Sequence, residues 1–374
     1  MAAHQARLIT NYTRSTQPRP PGTRKEIMFR SSRNVAWVGS LAVITLALTG
    51  CSASGSSEGE GGGKAPAELT PVTFQMNWTA GGANAGFAAA VSEGIYEEYG
   101  LDVTLVEGNG SGNTAQLVSS GQADIAYADA VAVSQLIAQG APMKVLSTIY
   151  QSNPNEVEAL KETGVDSLED LKGLKVGVPS GSSQTTMLPL FLKANGLSES
   201  DVNLVNMPNT SMVPALLQGE VDAILGSIDS YRIQLEAQGA ELDTFTFADN
   251  GVPTVSTSIF ASNDYMEENP DIVKAFIAAS LEGWDVALDE PETAVAALKE
   301  IFSTVDTDLA TQELENITPL FCSGDAVVVG RAEAAQWELT QEMLSEVELL
   351  PAGTDPTTYY TNEYLPDESD MRSC

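Results

Sequence analysis

Between residues 70 and 240 the chain repeats one arrangement of apolar and polar positions. Val72, Phe74 and Met76 alternate with polar neighbours as in a strand, helical spacing runs over 84–99, and Gly100 ends it. A strand over 103–107, a polar turn at 108–113, a helix to Ser120, the stop Gly121 and a strand opening at Asp124 complete the unit. The second unit has a strand at 175–178, a turn at 179–183, a helix over 184–195 stopped by Gly196, and a strand at 202–206. A helix through Gln218, the stop Gly219 and a strand opening at Asp222 close it. The same elements in the same order, with the same stops, predict two similarly built α/β lobes.

Breaker clusters at 152–155 and 249–253 flank the second unit, so two crossing segments join the lobes. Beyond 254–262 the pattern turns helical, with helices opened by Asn269-Pro270-Asp271 and Glu290-Pro291-Glu292 and a third over 331–350. This block is expected to pack on the first lobe. The first lobe then comprises 70–153 and 251–374, and the second 154–250. Residues 1–50 form an extension plus an export signal, and 51–69 a Gly/Ser-rich tether. The signal consists of Arg30 and Arg33, an apolar run over 35–48 too short to span a bilayer, and Leu48-Thr49-Gly50-Cys51. It resembles a bacterial lipoprotein signal, which implies lipidation of Cys51 and attachment to the outer face of the cell membrane.

In an open parallel sheet, ligands sit beyond the carboxyl ends of the strands, where strand-to-helix turns gather and helix N-termini present free N–H groups. The candidates there are Asn77, Trp78, Asn84, Ser111 and Asn113 in the first unit, and Ser180, Ser182, Ser183 and Asn209 in the second. Trp78 ends the large-residue face of its strand and enters a small-residue loop, which suits a platform for a flat ligand. Asp129 and Asp229 hold like places after the third strand of each unit, where each either caps a helix or meets N–H donors of a solute. Tyr127, Tyr231 and Arg232 are further lining candidates.

Eighteen basic against 51 acidic residues give a net charge of −33, and removal of residues 1–50 leaves 11 against 50, or −39. A nucleic-acid partner is excluded on that charge. The one histidine is His4, ahead of the expected cleavage point, so no Ser-His-Asp or Cys-His catalysis and no His-ligated metal is expected. No paired carboxylates stand out in the cleft loops and no G-x-S-x-G motif occurs, so no enzymatic activity, metal or cofactor is expected. With Cys51 lipidated, Cys322 and Cys374 remain as an even pair in an oxidising compartment and are expected to be bridged, two free thiols being the alternative.

Several stretches carry a family resemblance: Asn77-Trp78-Thr79, Ala85-Gly86-Phe87, 93–103, Gly121-Gln122-Ala123-Asp124, 167–178 and 216–222. Over 70–350 the chain resembles solute-binding proteins of ATP-binding cassette importers that serve nitrate, sulfonates, taurine and thiamine-type pyrimidines. The resemblance implies a two-lobed periplasmic-binding-protein type II fold that closes on a small solute and docks, as a monomer, on a permease with its ATPase. Asn84 stands where pyrimidine-binding relatives often have histidine, so imidazole contacts are absent there. The scarcity of cations favours a planar, nitrogen-bearing solute stacked on Trp78 and paired with Asp129 or Asp229. An alkanesulfonate, taurine or nitrate is the alternative ligand, and a sensing or adhesion lipoprotein the alternative role.

Overall fold

A computed structural model of the chain describes residues 69–374. The signal-like run, Cys51 and all of the tether but Leu69 lie outside the described residues, among which no helix is long and apolar enough to cross a membrane. Ten strands build two sheets of five. They are β1 (Thr70–Gln75), β2 (Leu101–Val106), β3 (Ile125–Asp129), β4 (Met143–Thr148), β5 (Asn155–Leu160), β6 (Lys175–Pro179), β7 (Asn203–Met207), β8 (Ala223–Ser227), β9 (Leu242–Thr246) and β10 (Thr257–Ser262). The sheet orders are β2-β1-β3-β10-β4 and β7-β6-β8-β5-β9.

The repeat in the sequence is the repeat in the sheets. In each, the first strand of a unit pairs in parallel with the second and third, Val72 opposite Val103 in one and Val176 opposite Leu204 in the other. In each, the fourth place is taken by an antiparallel strand that arrives from the other half of the chain, β10 and β5 respectively. The polypeptide therefore passes twice between the sheets, over 149–154 and 247–256. Asn153 ties the two passages by donating its amide to the carbonyl of Val252 at 2.6 Å.

The lobe cores are apolar faces meeting across these sheets. Phe74, Phe87, Tyr127, Phe276 and Trp284 form an aromatic centre in the first lobe, with Phe74 and Phe87 ring centroids 4.7 Å apart. Helix Pro270–Asp289 buries its stripe against this centre and so belongs to the first lobe. Phe191 and Phe247 stack at 4.0 Å in a cluster that continues from one sheet to the other. Helix Ala334–Ser345 braces the passages: Thr340 accepts from the Val255 N–H at 3.0 Å, and the Trp337 indole donates to Thr148 at 3.3 Å.

Some elements differ from the expected ones for local reasons. The helix expected over 84–99 is broken into Ala85–Ser92 and Ile95–Glu98, because Gly94 turns left-handed at φ 74°. The helix expected over 331–350 is shorter at both ends, because the backbone of Ala332 is held extended by Asn362 and the chain turns at Glu348, φ 58°. Helix Thr307–Ile317, which no sequence pattern singled out, is capped by Asp306, whose carboxylate accepts from the N–H groups of Asp308 and Leu309.

Cys322 and Cys374 are bridged, with Cα atoms 5.4 Å apart across 52 residues of chain. The bridge fixes a tail that meets the open edge of the first sheet where Tyr360 pairs with Val145, and that pairs through Ser373 with the loop residue Val328. Replacing both cysteines by serine is expected to lower stability by about 2–4 kcal/mol. Urea unfolding of the double variant beside the oxidised wild type measures it, and equal midpoints would show that the bridge does not constrain the tail.

Candidate functional site

The carboxyl ends of the parallel strands of both sheets face one cavity of about 90 Å³. The loop after β1 supplies Asn77 and Trp78, the end of β8 and the turn after it supply Ser227 and Asp229, the passages supply Tyr150 and Ser256, and the strands they lead into begin with Asn155 and Thr257. The N-terminus of helix Ser183–Ala194 adds Ser182 and Ser183. Ser182 caps that helix, accepting from the Thr185 N–H at 3.3 Å.

The lobes are closed over the cavity. At the rim the Gly112 N–H donates to the Gly181 carbonyl at 3.1 Å, and Asn209 donates its amide to the Asn109 side-chain oxygen at 2.9 Å. Asn316 donates to the Ile228 carbonyl at 2.7 Å. Gly181 is left-handed at φ 75°, and a Cβ on Gly110 would stand 2.5 Å from its carbonyl oxygen and one on Gly112 3.2 Å, so the close approach relies on these glycines, Gly110 most of all. Trp78 crosses the same divide. It packs on the second-lobe cluster around Met212 and Leu235 and meets Tyr231 edge-on at 6.3 Å.

Of the candidate residues, Asn77, Trp78, Ser111, Tyr127, Ser182, Ser183 and Asp229 line the cavity. The others are placed elsewhere. Asn84, 1% exposed, starts helix Ala85–Ser92 beneath the loop and finds no hydrogen-bond partner. Asn113 bonds back to the Asn109 carbonyl at 2.6 Å on the rim, and Asn209 forms the rim bridge. Ser180 lies in a surface groove with Asn206 and Thr210. Tyr231, 4% exposed, stands against Trp78 with its hydroxyl unpartnered.

Asp129 and Asp229 divide the two roles open to them. Asp129, 2% exposed, caps helix Ala130–Ala138 by accepting from the Val131 N–H at 2.8 Å and also accepts from the Ser256 hydroxyl at 2.7 Å. Burial still pushes its carboxyl up to about 6. Asp229 caps nothing: the helix Tyr231–Ala237 begins at Ser230 without a side-chain cap, and Asp229 accepts only from the Ser227 hydroxyl. Burial raises its pKa too, against that hydrogen bond.

The cavity also holds groups that, Tyr127 apart, the sequence pattern did not bring forward. Glu313, on helix Thr307–Ile317, lines it and accepts from the Gly82 N–H at 2.7 Å. Burial pushes Glu313 up to about 8, with the Asp229 carboxylate adding to the rise. The hydroxyls of Tyr127 and Tyr150 and the amide nitrogen of Asn155 are buried there without a hydrogen-bond partner. Tyr127 was among the lining candidates, whereas Asn155 belonged to a breaker cluster and Tyr150 stood just ahead of it, so only the crossing of the passages brings the three together.

Among the described residues lining the cavity there is no lysine or arginine. Arg232, one turn of chain from Asp229, faces away, toward Glu156 at 3.4 Å and Glu236 at 3.2 Å. The arrangement presents carboxylates, hydroxyls, an amide and an indole to a small occupant, with none of the cation that an anion would need.

A family model described as NMT1/THI5 like matches residues 83–294, more than half of the chain. The chain belongs to that family. It is 28% identical over 352 residues to the riboflavin-binding protein RibY of Chloroflexus aurantiacus, covering 87% of this chain and 97% of that one. It is 26% identical over 261 residues to the formylaminopyrimidine-binding protein of Halalkalibacterium halodurans, covering 69% and 77%. Among solved structures, the periplasmic aliphatic sulphonate binding protein SsuA of Escherichia coli superposes with a TM-score of 0.62 at 18% identity, over 79% of this chain and 99% of that one. The fold is thus the two-lobed one of periplasmic binding proteins.

A bulky side chain at the rim is expected to prevent this closure without unfolding either lobe. Gly112→Leu suits helix Ser111–Ser119 but collides with the Gly181 carbonyl. In small-angle scattering the variant should keep the open radius of gyration under conditions where the wild type contracts. An unchanged contraction would show that the rim is not where the lobes meet.

Proposed function

We propose that this chain is an exported solute-binding protein that captures a planar, nitrogen-bearing small molecule, of the pyrimidine type, and presents it to the permease of an ATP-binding cassette importer. The observation that carries the reading is the cavity wall: Asp229 and Glu313 as acceptors, Trp78 as a flat apolar surface, and no cation. Carboxylates favour a ring that offers N–H donors, and an indole favours a flat ring over an alkyl chain. The names of two relatives, one binding riboflavin and one formylaminopyrimidine, support a nitrogen heterocycle.

An alkanesulfonate, taurine or nitrate would meet two carboxylates here, and Arg232 is already held by Glu156 and Glu236. Binding without conversion agrees with a chain whose one histidine is His4. The reading includes a monomer tethered through lipidated Cys51, since the expected signal and tether would hold the lobes within reach of a permease at the membrane face.

Calorimetry against aminopyrimidines, riboflavin, alkylamines, taurine and nitrate tests the ligand class. Aminopyrimidines are expected to bind, and Trp78→Ala to weaken them by about 1–2 kcal/mol through lost stacking. Asp229→Asn should cost about 1.5–3 kcal/mol through a lost charge-assisted bond. Tight taurine or nitrate binding with no response to any heterocycle would refute the reading.

A further inference from the structure

Helix Thr307–Ile317 lies beyond the residues that the family model matches, yet one of its side chains reaches across the cleft and another, three positions away on the same face, lines it. Asn316 donates to the carbonyl of Ile228, the residue before Asp229, at 2.7 Å. Glu313 lines the cavity that Asp229 also lines. The helix itself belongs to the first lobe, with Leu314 and Ile317 buried in the core around Phe74, whereas Asp229 sits at the end of β8 in the second. Closure therefore drives two carboxylates from opposite lobes into one water-poor space.

We infer that Glu313 and Asp229 form a clamp that selects a solute carrying positive charge and that, with no such solute between them, their mutual repulsion holds the lobes open. The clamp deepens the reading of the cavity as a solute site by assigning the charge of the solute and the second residue that recognises it. Like charges facing each other in a low-dielectric space repel strongly, and either a proton or a cationic ligand relieves that repulsion.

The surroundings of the pair offer no competing cation. Glu313 has Asp229 across the cavity, Asp306 at the start of its own helix and the phenol of Tyr150 nearby, and it accepts only the Gly82 N–H. Asp229 has Tyr127, Tyr150 and Glu156 around it, and the one cation in reach, Arg232, is directed at Glu156 and Glu236. Since the closed cavity raises Glu313 to about 8 from an ordinary value near 4.5, closing takes up a proton within that window. Closure without ligand is therefore favoured as pH falls from about 8 toward 4.5 and disfavoured as pH rises. A cationic ligand replaces the proton, so closing on it near neutral pH takes up none, whereas closing on a neutral ligand takes one up.

Two probes that differ mainly in charge test the clamp: 4-amino-5-aminomethyl-2-methylpyrimidine, whose amine is protonated at neutral pH, and its neutral 5-hydroxymethyl counterpart. The amine is expected to bind the wild type at least about tenfold more tightly. Glu313→Gln, which keeps an oxygen for the Gly82 N–H, should weaken the amine roughly 10- to 100-fold and the alcohol less than about threefold. Calorimetry in two buffers of different ionisation enthalpy should show proton uptake with the alcohol but not with the amine in the wild type, and little with either in the variant. Equal losses for both probes, or none, would overturn the clamp while leaving the heterocycle reading intact.

If neither probe binds, the heterocycle reading fails and the ligand-free protein decides the clamp. Inter-lobe distances from one spin label on each lobe should lengthen in the wild type between pH 5 and pH 9, whereas Glu313→Gln should hold the closed distance at both. Identical distances in the two proteins at both values would overturn it.

Discussion

The site exists because two backbones can touch. Where the Gly112 N–H meets the Gly181 carbonyl, neither residue has a side chain, and the rims of the lobes come within a single hydrogen bond of each other. That approach turns an open groove between two sheets into a cavity of about 90 Å³ and removes water from the groups inside. The double passage between the sheets makes the approach repeatable, because two neighbouring segments tied by Asn153 restrict the lobes to opening and closing about one line.

Desolvation then decides what each polar group costs. An Asp129 that caps a helix and accepts a serine hydroxyl has its bonds satisfied, and its burial serves the scaffold. Asp229 and Glu313 each accept one bond, and the hydroxyls of Tyr127 and Tyr150 accept and donate none. Buried polar groups without partners destabilise the empty closed form, each by an amount on the order of 1–3 kcal/mol. That penalty is what a ligand able to satisfy them removes, so the same atoms that oppose empty closure define the occupant.

The paired units, their glycine stops and the helical C-terminal block were legible in the sequence, because each rests on local periodicity that burial then enforces. Trp78 was legible for the same reason: it ends an alternating strand and continues into a loop of small residues. The division between Asp129 and Asp229 was not, because it depends on whether the next helix starts one residue or two beyond the aspartate, as at Ala130 and at Tyr231. Asn155 was hidden in a segment that read as a breaker, Tyr150 stood just ahead of it in no recognised pattern, and Glu313 lay on a helix of mostly polar residues. All three reach the cavity through tertiary crossings between segments far apart in the chain, which periodicity does not encode.

The acidity of the chain and that of its cavity are separate matters, and strand β5 shows why. Glu156 and Glu158 on that strand are both fully buried, and burial raises the pKa of each. Arg232 turns to Glu156 because a charged carboxyl buried without a cation is the costlier arrangement. The same turn takes that guanidinium away from Asp229, two strand ends from where an anionic solute would need it. A body with surplus negative surface charge repels anions from every side, but this internal pairing determines that the cavity itself has nothing to hold one with. The polarity of the site follows from which carboxylate the arginine neutralises, and two acids on β5 secure that choice.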